Sequence, residues 1–153
     1  MARELVNAGA GGLVLFNRFY LPDIDLKARA VAPHILLSTS MAMRLTLRWI
    51  AILRGRIQAD LAATSGIHSA SDVIKMVMAG ADVTMLCSVL LSRGIGYLRT
   101  IETEVEKWLE AHEYESLDQL KGIMSQKNCP DPAAFERAQY IRGIAVSWRT
   151  TSS

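Results

Sequence analysis

Three short apolar runs constrain the fold of this chain more than any other feature. They are Gly12-Leu13-Val14-Leu15-Phe16-Asn17, the stretch from Ile57 to Thr64, and the stretch from Asp82 to Cys87. None alternates cleanly between polar and apolar residues, and the second stops at Ser65-Gly66. Runs of this kind read as strands buried on both faces, the pattern of parallel sheets. Helical segments lie between them. Met41 to Leu53 carries Arg44 and Arg48 on one side and Gly55 as its stop. Asp72 to Ala79 follows a Ser69/Ser71 cap signal and ends at Gly80. Strand, helix, strand, helix, strand implies parallel pairing through right-handed crossovers, which makes this an α/β chain.

A faint internal echo accompanies the pattern. Gly9-Ala10 and Gly80-Ala81 each end a helical stretch and lead into an apolar strand, with one strand between them. Each βα unit therefore takes about 35 residues, against about 31 in an eight-unit barrel of about 250 residues. Glycines also end helices before strands in any α/β protein, so the echo fits a repeat and ordinary capping alike.

Beyond Leu90 the pattern turns helical. Tyr97 to His112 is amphipathic, with Ile101, Val105, Trp108 and Leu109 inward and Glu102, Glu104, Glu106 and Lys107 toward water. Ser116-Leu117-Asp118-Gln119 has the spacing of a capping box, predicting a short helix to about Met124. Asp131-Pro132 predicts another helix from Pro132 to about Ile144, followed by a frayed tail from Arg149 to Ser153. Residues 1–95 thus read as three strand-helix units and 96–153 as a helical extension of the same domain.

Composition excludes several function classes. Half of the 153 residues are apolar and the net charge is +2, so the chain is not disordered and can bury a sizeable core. An isoelectric point near 8.7 makes no case for nucleic acid. The basic stretch Arg44, Arg48, Arg54 and Arg56 is read as a solvated helix face. Two cysteines, Cys87 and Cys129, suit a reducing compartment. The apolar run closest to a membrane span, Met76 to Leu91, is interrupted by Gly80 and Asp82, and the N-terminus lacks a signal-peptide layout. A cytoplasmic globular protein is expected. His34, His68 and His112 share no metal-ligand spacing with each other or with the cysteines, and Cys87 has no sequence-local base to make it a nucleophile.

The residues that could carry chemistry stand at the strand ends. Thr64-Ser65-Gly66-Ile67 closes the second strand and Cys87-Ser88-Val89 the third, each just before a helix start. Two adjacent strand ends leading into helix N-termini make an anion site, and in barrels the last two strand ends commonly bind phosphate. Ser-Gly and Cys-Ser also serve as ordinary turn and cap residues, and that alternative stands beside the anion site.

Three parallel strands cannot close a barrel or complete a doubly wound sheet. Strands apolar on both faces need neighbours at each edge, and nothing before Gly12 supplies one. The chain reads as part of a larger sheet.

From Ala10 through Ile144 the sequence resembles the C-terminal part of the dihydroorotate dehydrogenase family. The resemblance rests on Gly12 to Tyr20 with Pro22-Asp23-Ile24-Asp25, on Leu47-Arg48-Trp49-Ile50-Ala51 and on Ala63-Thr64-Ser65-Gly66-Ile67-His68-Ser69-Ala70. It continues through Gly80-Ala81-Asp82-Val83 and the run from Met124 to Arg137, which contains Cys129-Pro130-Asp131-Pro132. That family is an FMN-containing (β/α)8 barrel that oxidises a dihydropyrimidine by hydride transfer to the flavin. The resemblance implies that the three strands are the sixth, seventh and eighth of the barrel. It implies that Ser65, Gly66, Cys87 and Ser88 hold the FMN phosphate, mainly through backbone N–H groups, and that Asn17 contacts a pyrimidine-like substrate. An amide can donate and accept at once, which suits a carbonyl–imide edge.

Three departures mark this chain. Arg18 follows Asn17 where dihydroorotate enzymes usually have Thr or Ser, so another dihydropyrimidine-like substrate is open. Ser38-Thr39-Ser40 stands where a glycine-rich turn is expected. The first five strands, which would bring the flavin-ring lysine and the catalytic base, have no counterpart here, so no catalytic residue is assigned. The expected partner is the missing N-terminal barrel half or further copies of the chain. A non-catalytic remnant of the same fold is the alternative, and Met1 is either a true start or the edge of a truncated sequence.

Overall fold

The sheet is built as the apolar runs require, and a computed structural model describes residues 1–17, 22–32 and 36–132. Helix α1 (Ala2–Asn7) leads into strand β1 (Gly12–Leu15), and a hairpin of β2 (Asp23–Asp25) and β3 (Ala30–Ala32) follows. A 3₁₀ turn at Ser40–Ala42 opens α2 (Met43–Leu53), then come β4 (Asp60–Ala63), α3 (Ala70–Ala79), β5 (Val83–Thr84) and α4 (Ser88–Arg93). Helices α5 (Tyr97–Ala111) and α6 (Leu117–Leu120) and a 3₁₀ turn at Gln126–Asn128 complete the described chain. The order in the main sheet is β1-β4-β5, all parallel, with Leu13 opposite Leu61 and Ala62 opposite Val83.

The strands are shorter than their apolar runs. Ladder bonds begin at Asp60 N–H to the Gly11 carbonyl and Asp82 N–H to the Leu61 carbonyl, and end at Thr64 N–H to Leu15 and Met85 N–H to Ala63. Residues 57–59 lie outside β4 because their partners on β1 have run out. The two-residue pleat then sorts the sheet. Leu13, Leu15, Leu61 and Ala63 turn toward the helices and join one core with Ile50, Met76, Ile101, Val105 and Leu120. Val14, Ala62 and Val83 stand in register on the opposite face, where Val14 is 60% and Val83 53% exposed. The expectation of strands apolar on both faces is met, and among the described residues only the helix side is covered.

Helix ends follow local chemistry. Ser69 accepts from Asp72 N–H, and the Asp72 carboxylate returns a bond to Ser69 N–H, a capping box at the head of α3. Gly80 closes that helix at φ 119°, and Gly9 follows α1 at φ 102°, the two glycines of the sequence echo. The capping box expected at Ser116 does not form. Gln119 instead takes Glu115 N–H on its Oε1 and bonds the Glu115 carboxylate through its amide nitrogen, so Ser116 caps α6 without a side-chain bond. That helix ends at Leu120 rather than near Met124, because Gly122 takes φ 76° and its N–H bonds the Val77 carbonyl. Helix α1 is the helical stretch that Gly9-Ala10 ends, while the β2–β3 hairpin has no counterpart in the sequence reading. The helix expected from Pro132 to Ile144, the tail, Arg18 and His34 lie outside the described residues.

Candidate functional site

All five residues singled out from sequence lie at one end of the sheet, just past the C-termini of its strands. Asn17 follows β1 and is exposed; Ser65 and Gly66 follow β4; Cys87 is exposed at the end of β5 and Ser88 opens α4. The Ser65 hydroxyl donates to the Phe16 carbonyl at 3.0 Å, joining the β4 turn to the β1 turn beside Asn17. Ser65 achieves this at φ 73°, a left-handed conformation unusual for a residue with a Cβ.

The segment before α2 bolts these turns together. Ser38 N–H donates to Ser88 Oγ at 3.0 Å, while Ser38 Oγ and His68 Nε2 share a proton across 3.0 Å. Ser40 Oγ donates to Asp72 Oδ2 at 3.1 Å, and the same carboxylate oxygen takes His68 N–H at 3.0 Å and Ser69 N–H at 3.1 Å. Asp72 is 4% exposed, so its charge is held by three internal donors rather than by water. Deeper in, Thr46 Oγ1 donates to the Thr64 carbonyl at 3.1 Å.

This wiring separates residues that look equivalent in the sequence. Ser65 has given its hydroxyl proton to Phe16, so only its backbone N–H is open to an anion. Ser88 Oγ accepts from Ser38 and, among the described residues, donates to none, so its proton is uncommitted there. Gly66 permits a close approach, but by the protein itself. A Cβ there would collide with the Met43 backbone nitrogen and lie 2.9 Å from Ala42 C and Thr39 O. Of the two strand-end serine hydroxyls, that of Ser88 is the uncommitted one, while a side chain at Gly66 is barred by the protein's own backbone and Asp72 occupies the head of α3.

Sequence reasoning passed over Ser38, His68 and Asp72. Ser38 was visible only as a departure from a glycine-rich turn, and His68 had no partner at any local spacing. The Ser69-x-x-Asp72 pattern was the one readable signal for Asp72.

The opposite end of the sheet holds a cavity of about 470 Å³, lined by Gly11, Arg54, Ile57, Gln58, Asp60 and Asp82. Of its charged groups, Arg54 pairs with Asp82, which Lys121 also reaches. The described residues bring together no group of His, Cys, Asp and Glu that could hold a metal, and no helix among them is long and apolar enough to cross a membrane.

No family model matches the chain. Over 127 residues it is 29% identical to the catalytic subunit of dihydroorotate dehydrogenase B (NAD(+)) of Pelobacter propionicus, a match that covers 81% of this chain and 41% of that protein. The chain resembles a portion of the dihydroorotate dehydrogenases. A dihydroorotate dehydrogenase (fumarate) of Saccharomyces paradoxus is 29% identical over 72 residues, 47% of this chain and 23% of its own length. Among solved structures, ligand-free DHODH from Eimeria tenella superposes with a TM-score of 0.63 at 18% identity, covering 80% of this chain and 34% of that one. At that identity the likeness is one of fold: parallel strands and helices forming part of a (β/α)8 barrel. The chain spans about two fifths of the Pelobacter relative's length.

Proposed function

We propose that this chain is the cofactor-phosphate end of an FMN-dependent oxidoreductase of dihydroorotate dehydrogenase type, acting on dihydroorotate or a related dihydropyrimidine. The observation that carries the reading is the Ser38 clasp, which joins two adjacent parallel strand ends and leaves the Ser88 hydroxyl proton uncommitted among the described residues. Backbone N–H groups at Ser65, Gly66, Cys87 and Ser88, with the Ser88 hydroxyl, would hold the phosphate. FMN, when bound, supplies the hydride acceptor. Asn17, one strand over, would orient the imide edge of a pyrimidine, its amide donating and accepting at once.

The reading also calls for a cover over the bare sheet face. On this reading residues 1–95 would form three units and 96–153 an extension of the same domain; among the described residues the row Val14, Ala62 and Val83 is apolar and open. Apolar surface of this kind favours association. The polypeptide that completes the barrel, or further copies of this chain, would bury it.

A protein in which five further βα units precede Met1 tests the proposal. It should purify yellow, with stoichiometric FMN, and oxidise dihydroorotate or a dihydropyrimidine. A well-folded, colourless full barrel would sink it. If the 153-residue chain instead folds and self-associates without binding FMN, the non-catalytic reading gains.

A further inference from the structure

We infer that the flank formed by α2 and β1 docks a second copy of this chain, head to tail, against that copy's α5 and β5. The inference does not depend on a flavin, so its failure leaves the cofactor reading standing.

Both layers of the described fold end without a neighbour. Strands β1 and β5 are the outer strands of a sheet in which all three run parallel. Helix α2 packs on α3 and α3 on α5, so α2 stands at the β1 side and α5 at the other. An open strand edge is a template for another chain. A copy placed with its β1 beside β5 continues the sheet in the same parallel sense. Its α2 then sits next to α5, as α3 sits next to α2 within one chain. The apolar row Val14, Ala62 and Val83 runs on into Val14 of the second copy.

The outer side of α2 is an apolar stripe edged with charge. Met41, Leu45 and Trp49, spaced i, i+4 and i+8, are 61%, 55% and 41% exposed. The Trp49 ring lies 6.4 Å from that of Phe16, which joins the stripe to the end of β1. Arg44 and Arg48 run beside it, exposed, and neither has a bonding partner among the described residues. Helix α2 holds no acid.

Charge selects the occupant. A two-fold contact of α2 on α2 would set Arg44 and Arg48 against their own equivalents, which repels. Helix α5 instead carries four glutamates against Arg99 and Lys107. Leu98, Glu102 and Glu106 share one side of it and are exposed. Glu106 is unpaired among the described residues, and Glu102 meets only Arg99 at the surface, a weak tie. Arg44 and Arg48 have the same four-residue step as Glu102 and Glu106, so two parallel helices can make both pairs at once. Leu98 stands one turn before Glu102, as Met41 stands one turn before Arg44, and the apolar ends meet in that register. A head-to-tail contact closes into a ring or extends, according to the rotation between copies.

Sedimentation velocity of the full chain, from low to high micromolar concentration, tests this. The mass should rise above the 16.9 kDa of one chain, with association about tenfold weaker at high salt than at low salt. The double variant Arg44→Glu with Arg48→Glu should associate about tenfold more weakly or worse, and so should Glu102→Lys with Glu106→Lys. Mixed in equal amounts, the two variants restore opposite charges at each contact, and association should return to within about threefold of the native chain.

The salt dependence of the unaltered chain guards against a variant that does not fold. A native chain that stays at the mass of one copy throughout overturns the inference and leaves the flank to a different polypeptide. Association that holds or strengthens at high salt overturns it too. So does either variant assembling like the native chain, or a mixture of folded variants that gains nothing over the two apart.

Discussion

Arg54 Nη1 lies 3.1 Å from Asp82 Oδ1 and 3.2 Å from Asp82 Oδ2, a forked contact that ties the end of α2 to the head of β5. Asp82 Oδ2 also accepts Leu61 N–H at 2.9 Å, and Lys121 Nζ reaches Oδ1 at 3.2 Å. One carboxylate therefore joins α2, β4, β5 and the segment after α6. Asp82→Ala strands Arg54 as a partly buried cation, leaves Lys121 only its bond to Asp118 and orphans the Leu61 N–H. It should cost about 2–3 kcal/mol, read as a lower urea midpoint of the purified chain.

The same junction sets the pH limits of stability. Burial alone would raise the Asp82 carboxyl, but Leu61 N–H, the Lys121 ammonium and the Arg54 guanidinium together hold it below the ordinary carboxylate range. A depressed folded value adds stability that is complete above the unfolded value of about 4 and disappears as pH falls through the folded one. Lys121 is raised by its bonds to Asp118 and then Asp82, so its contribution is complete below about pH 10 and fades above that. Comparing urea midpoints of the native chain and Asp82→Asn should show a gap at pH 7 that narrows as the pH falls through the folded value. A gap of constant size would refute the assignment.

Glycines in left-handed conformations should rank by what surrounds them. Gly66→Ala meets the Met43 and Ala42 backbone at φ 74° and should cost about 3 kcal/mol or more. Gly80→Ala at φ 119° meets the Arg54 side chain, with Cγ at 2.5 Å and Cβ and Cδ at 2.8 Å; about 1–2 kcal/mol is expected. Gly94→Ala has open space around it but sits at φ 82°, ψ 159°, a region almost confined to glycine, and should cost about 1–3 kcal/mol from backbone strain alone. Thermal unfolding of the three variants checks that Gly66→Ala costs the most.

The capping box on α3 divides unequally. Ser69→Ala loses one cap bond and should cost about 1 kcal/mol. Asp72→Ala removes the acceptor of two N–H groups and of the Ser40 hydroxyl, and should cost about 2–3 kcal/mol. Amide exchange would show the difference locally, with His68 and Ser69 N–H losing protection in Asp72→Ala while the core amides of α5 keep theirs.

The two serines of the strand ends should behave differently toward phosphate. Ser88→Ala removes the uncommitted hydroxyl and should weaken binding of an FMN-sized phosphomonoester about tenfold. Ser65→Ala removes a hydroxyl already donated to Phe16, so affinity should change less than about twofold while stability drops by about 1 kcal/mol. Flavin fluorescence titration and thermal unfolding of both variants separate the two effects. Equal loss of affinity in both would contradict the hydrogen-bond assignment.

Much of the fold was legible before any coordinates. The apolar runs around Val14, Leu61 and Val83 predicted parallel strands, the amphipathic period of 97–112 predicted α5, and Ser69 with Gly80 predicted the two ends of α3. These signals are local, because side-chain periodicity and capping act within one turn or one pleat. The Ser116 capping box failed for the same reason: Glu115 offered Gln119 a competing partner one residue away, and spacing alone cannot rank two neighbours. The β2–β3 hairpin escaped because each strand is only three residues long, too short for a pattern to show.

The site divides along the same line. By itself the sequence determined that Ser65, Gly66, Cys87 and Ser88 stand at strand ends, because each follows an apolar run. Tertiary structure alone decided which of them has a proton to offer, and that Ser38, 30 residues before His68 and 50 before Ser88, holds those two turns together. A hydroxyl's role depends on which partner takes its proton, and across such separations that partner is chosen by packing rather than by any spacing in the chain.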